Sequence, residues 1–118
     1  MGSAEPVVVI ISTDPRASHR AAEAMRIGLG VVAGDRAVTL VLAGPGAHLL
    51  DADIDGLING DDVARVRAEL RRLGVPFHVD GGAVPAGPGW NAEGHPVVLV
   101  SPTELTALVN AGRRFIVF

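Results

Sequence analysis

Four histidines (His19, His48, His78, His95) and thirteen acidic residues make up the acid–base chemistry available to this chain, which has no cysteine, tyrosine or lysine. Asp14 paired with His19 or His48 would make a general acid–base couple if folding joined them. Asp14 directly before Pro15 is equally an ordinary turn residue. Gly44-Pro45-Gly46 leading into a helical segment is a small version of an anion-binding helix N-terminus. It lacks the lysine and spacing of a P-loop and the glycine fingerprint of a dinucleotide site, so a plain turn competes with that reading. Ser12 and Ser101 end strand-like runs, but neither sits in a G-x-S-x-G elbow. No two histidines have the close spacing of a metal motif, so no metal or other cofactor is expected and the loop histidines read as solvated. His78 lies within a strand pattern and reads as a side chain at a sheet surface or an interface. Trp90, the sole tryptophan, either anchors a glycine-rich loop or forms a pocket wall.

These residues are spaced by alternating elements. Val/Ile/Leu runs at 7–12, 37–42, 75–79, 97–100 and 115–118 lack period-2 alternation, as suits parallel strands covered on both faces. Between them, residues 18–32 carry Ala22, Met25, Leu29 and Val32 on one helical stripe, with Ser18 a plausible N-cap and Gly34 a stop. Ala24, Ile27 and Val31 form a second stripe on that helix, more apolar surface than one sheet face needs, which points to a subunit interface or to packing under a neighbouring loop. A short helix is expected over 47–50, and 51–60 reads as an acidic surface connection anchored by Ile54, Leu57 and Ile58. Val63, Val66, Leu70 and Leu73 predict a helix capped by Asp61 or Asp62 and followed by Gly74. Residues 81–94 contain Gly81, Gly82, Gly87, Gly89 and Gly94 with Pro85 and Pro88, which predicts an irregular loop, mobile or ligand-covering. Ser101-Pro102-Thr103-Glu104 has the form of a capping box with a first-turn proline. That helix should present Leu105, Leu108 and Val109 to the core and close at Gly112. In such a sheet, ligands bind beyond the carboxyl ends of the strands. That rim collects the candidate ligand-binding set: Thr13, Asp14, His19, Gly44, Gly46, His48, Asp80, Gly81 and Trp90.

Composition limits the partners. The 118 residues suit one domain, 1–118, and need no disulfide or metal staple. Ten arginines against thirteen acids give a net charge of -3 with no basic aromatic stripe, which argues against nucleic acid. No apolar run reaches the roughly 20 residues that span a bilayer, so no membrane partner is expected. No basic-then-apolar leader is visible, and Pro6 stands where a Met-Gly lipidation start wants Ser or Thr, so a cytoplasmic location is expected.

The run Val8-Val9-Ile10-Ile11-Ser12-Thr13-Asp14-Pro15, followed by Arg20-Ala21-Ala22-Glu23-Ala24-Met25-Arg26, resembles the opening of the DsrE/DsrF-like family. Residues 38–42 with Gly44-Pro45-Gly46-Ala47-His48-Leu49-Leu50 resemble its second strand and the glycine-containing start of the next helix. Residues 70–79, 98–108 and 115–118 resemble its later helix, strands and Ser-capped helix. The resemblance implies a three-layer α/β/α domain with a mostly parallel sheet of about five strands. It further implies assembly into trimers or hexamers, or pairing with a cysteine-bearing relative, in proteins linked to sulfur relay. Active relatives carry sulfur as a persulfide on a cysteine just after the third strand. The matching place here is Asp80-Gly81-Gly82, and a carboxylate cannot form a persulfide, so sulfur transfer by this chain is excluded. The expectation is a non-catalytic, homo-oligomeric binding or scaffolding subunit. The alternative is a small-ligand binder or enzyme using the Asp and His groups of the rim.

Overall fold

The computed structural model describes residues 7–111 and 114–118. The expected closure at Gly112, and the reading of the first six residues, lie outside that set. Five strands, β1 (Val7–Ile11), β2 (Val38–Leu42), β3 (Phe77–Asp80), β4 (Val97–Val100) and β5 (Arg114–Val117), form one sheet in the order β4-β3-β2-β1-β5. Every pairing is parallel. The three α-helices are α1 (Arg20–Ala33), α2 (Gly60–Arg72) and α3 (Pro102–Ala111). This is the α/β architecture expected from the sequence.

The strand registers assign residues to faces. Val9, Leu40, Phe77 and Val97 align on one face, and Ile10, Val41, His78 and Val98 on the other. The first face carries the main core, where Val7, Val9, Ile11, Leu40, Leu42, Phe77 and Val79 meet α1 and α2. Here α1 buries Ala21, Ala22, Ala24, Met25 and Gly28, small side chains that let it lie close to the sheet. The N-terminal half of the two expected stripes is thus one buried face, whereas Leu29, Val31 and Val32 are half-buried and Ile27 is exposed. Helix α2 buries Val63, Val66, Arg67 and Leu70, three of the four apolar residues read from its periodicity, while Leu73 is exposed.

Among the described residues, α3 is the only helix above the second face. Leu105, Leu108 and Val109 are half-buried rather than core residues, because one short helix cannot cover a sheet of five strands. Val98, Phe115 and Val117 on this face are 44%, 54% and 54% exposed.

Helix boundaries follow local chemistry in two cases and tertiary packing in a third. At α3 the Ser101 N–H donates to Glu104 Oε1 (3.0 Å) and the Glu104 N–H donates to Ser101 Oγ (3.1 Å), a reciprocal capping box. The Ser101 N–H bonded to Glu104 holds that carboxyl below its ordinary range. Ser101→Ala is expected to cost about 1 kcal/mol in chemical denaturation, the usual worth of an N-cap. At α1, Ser18 Oγ accepts the Arg20 N–H, although the boundary residue is His19, which makes no side-chain cap. Helix α2 departs from expectation: it is preceded by Asn59 in the left-handed region (φ 58°) with no side-chain cap, and neither Asp61 nor Asp62 caps it. The reason is contact with residues 54–56, since a Cβ on Gly60 would overlap the Ile54 carbonyl oxygen.

Candidate functional site

The carboxyl rim is built mainly by two segments far apart in sequence. After β2 the chain enters a 3₁₀ helix, Gly44–Leu50, where the sequence reading placed a short helix over 47–50. Gly44 opens it at φ 51°, and Gly46 rests against the end of β1 so closely that a Cβ would overlap the Ile11 carbonyl oxygen. Ala43 N–H also donates to that oxygen (3.0 Å). Both glycines are therefore structural: Gly44 supplies the left-handed turn and Gly46 lets it press onto the sheet.

The second segment is the connection between β3 and β4. It contains a short 3₁₀ turn, Gly81–Ala83, where an irregular loop was expected, and the rest is clamped to the Gly44–Leu50 turn. Trp90 Nε1 donates to the Ala47 carbonyl (2.7 Å). Ala52 N–H donates to Gly89 O and Asn91 N–H to Leu50 O, each at 2.8 Å, and Asp51 and Trp90 form an antiparallel bridge. Beneath this junction Arg67, 1% exposed, donates from Nη1 to the carbonyls of Leu49 and Asp51, both at 2.8 Å. Its Nη2 lies 3.1 Å from Glu93 of the loop, and Arg71 also reaches Glu93. Although burial of the Glu93 carboxyl opposes its ionisation, these two guanidiniums hold it below the usual range.

Between the two segments lies a cleft of about 280 Å³ lined by His48, Asp51, Asp53, Pro85, Ala86, Gly89 and Trp90. His48 Nδ1 sits 2.9 and 3.1 Å from the two carboxylate oxygens of Asp51. A carboxylate accepts and cannot donate, so Nδ1 carries the proton and Nε2 of the neutral ring is left as an acceptor. Such a His–Asp couple has the parts of a general base. Asp51 and Asp53 were not singled out from the sequence. The signal was the spacing of His48 and Asp51, because residues i and i+3 eclipse on a 3₁₀ turn.

Among the residues expected at the rim, His48 and Trp90 share this cleft. Asp14 is adjacent to it: the Arg16 side chain hydrogen-bonded to Asp14 (3.0 Å) lowers its pKa, and His48 is near enough to contribute in the same direction. Asp14 is thus committed to Arg16, whose backbone N–H it also accepts as a turn residue does. Thr13 is half-buried, with an Oγ1 that has no hydrogen-bond partner among the described residues. Asp80 ends β3 at the rim, next to Val100, and accepts the Gly82 N–H (3.0 Å); Gly81 follows it, exposed. His19 is elsewhere, exposed at the start of α1 and 3.3 Å from Glu23. His95 corrects the view of loop histidines as solvated. It is 3% exposed, packed against Phe77 (4.6 Å between ring centroids, planes tilted by 41°), with Nε2 donating to Val75 O. Burial pushes its pKa down, which keeps the ring neutral in the core. Among the described residues no group of three or more His, Cys, Asp or Glu is placed to hold a metal ion, and no helix is long and apolar enough to cross a membrane.

No protein-family model matches the chain, and no curated protein matches it by sequence. The fold has a solved counterpart. The crystal structure of the ychN protein from E. coli superposes with a TM-score of 0.67, over 97% of this chain and 99% of that one, at 12% identity. The chain therefore shares the fold of that structure.

Proposed function

We propose that the chain is a non-catalytic, self-associating binding or scaffolding subunit of the cytoplasm, related to the sulfur-relay proteins of the DsrE/DsrF-like group. Asp80 occupies the end of β3, the place where the resemblance puts a sulfur-bearing thiol, and no thiol exists elsewhere in the chain. The observation that carries the reading is the thinly covered second face, where Val98 on one edge strand and Phe115 and Val117 on the other remain exposed. Large apolar side chains left open on a sheet face favour association. The partner is a second copy of the chain, in a trimer or hexamer, or a cysteine-bearing relative.

Size exclusion with light scattering tests this. The wild type is expected to elute as a trimer or hexamer at micromolar concentration, and Phe115→Asp with Val117→Asp as a folded monomer by circular dichroism. A wild type that is monomeric at that concentration overturns self-association.

A second reading is favoured by the His48–Asp51 couple and Trp90 lining one cleft. In it the rim binds a small ligand, and His48 Nε2 accepts a hydrogen bond or a proton from it.

A further inference from the structure

We propose that the cleft between the Gly44–Leu50 turn and the Trp90 loop binds a small organic cation with several N–H donors, such as an alkylguanidinium or alkylammonium. This rests on the second reading above and adds the class of ligand.

The first argument counts donors and acceptors. The side chains lining the cleft offer acceptors: Asp51, Asp53 and, in the neutral ring, His48 Nε2. Their own donors are spent inside the protein, since Trp90 Nε1 is bonded to Ala47 O and His48 Nδ1 to Asp51. A ligand that brings only acceptors would find no side-chain partner here, whereas a guanidinium or ammonium brings donors alone.

The second argument is charge. No arginine lines the cleft: Arg16 has its guanidinium bonded to Asp14 through both Nε and Nη2, and Arg67, which reaches the Asp51 carbonyl from below, is paired with Glu93. Asp51 and Asp53 therefore leave the lining acidic.

The third argument is the wall. Trp90 is fixed by its Nε1 bond and by its backbone bridge to Asp51, so the indole is held in place among the residues that line the cleft. An indole face is the strongest cation–π partner among side chains, and a fixed ring costs little ordering on binding. Pro85 and Ala86 complete an apolar side for a short alkyl stem.

Trp90 is also the only tryptophan, so its emission reports on the cleft without a label. The wild type is to be titrated with ethylguanidinium, its neutral isostere ethylurea, and propionate, with N-acetyltryptophanamide as the control for collisional quenching. Ethylguanidinium is expected to give a saturable change that the control lacks, and ethylurea and propionate none. Asp51→Asn and Asp53→Asn keep the shape and each should weaken ethylguanidinium roughly tenfold, the effect of losing one charge-assisted contact. Saturable binding of propionate or ethylurea in preference to the cation overturns the ligand class while leaving a ligand site. Saturation by none of the three probes overturns the ligand class and the ligand-site reading together. Unchanged ethylguanidinium affinity in both aspartate variants also overturns the proposal.

Discussion

Arg67→Ala is expected to lower the unfolding free energy by about 4 kcal/mol and to free the Trp90 loop from the rim. The guanidinium is the hydrogen-bond donor to two main-chain carbonyls, Leu49 and Asp51. Each carbonyl left buried without a donor costs roughly 1–3 kcal/mol, and truncation of a large buried side chain adds a cavity. The ion pair with Glu93 is the smaller part, because the Glu93 side chain is 45% exposed. Urea denaturation of Arg67→Ala beside Glu93→Gln separates the contributions. The glutamine variant should lose less than about 1 kcal/mol. Equal losses in the two variants would show that the salt bridge, not the carbonyl bonds, holds the junction. In the alanine variant Trp90 emission should shift to the red before global unfolding.

Gly46→Ala is expected to cost about 3 kcal/mol or more. The added Cβ meets the Ile11 carbonyl, which is backbone in a strand paired on both sides, so neither partner can give way cheaply. Gly30→Ala is the control. Nothing lies within 4 Å of the built Cβ there, and the residue is inside α1, where alanine is favoured by about 0.5–1 kcal/mol. Thermal melts of the pair should move in opposite directions. A neutral Gly46→Ala would show that the turn does not press on β1.

Elements written in local chemistry were legible from the chain. Strand β4 fell on its four expected residues, because an apolar run there is bounded by a glycine-rich loop and a capping box. Strand β3 begins later than its apolar run. Val75 N–H completes the helix by donating to Leu70 O, Pro76 has no N–H, and the first ladder bond is donated by Phe77. The start of α2 was misread because Asp61 and Asp62 are good local caps, while the boundary is fixed by the contact of Gly60 with Ile54 and by Ile58 N–H donating to Pro15 O. The site was legible only in part for the same reason. His48 and Trp90 could each be assigned to the rim, but their meeting depends on bonds between segments about forty residues apart, such as Trp90 to Ala47, which no local pattern encodes. Asp51 was hidden in a stretch whose acidity suited an ordinary solvated loop.

The rim's framework is mostly polypeptide backbone: Gly46 on Ile11, Asn91 on Leu50, Ala52 on Gly89. Arg67 braces that framework from below and does not line the cleft. His48 and Asp51 can therefore be exchanged with little loss of foldedness, whereas Asp53 also caps the 54–56 turn by accepting the Asp55 N–H. Recognition is free to drift at the first two positions while the scaffold that displays them persists.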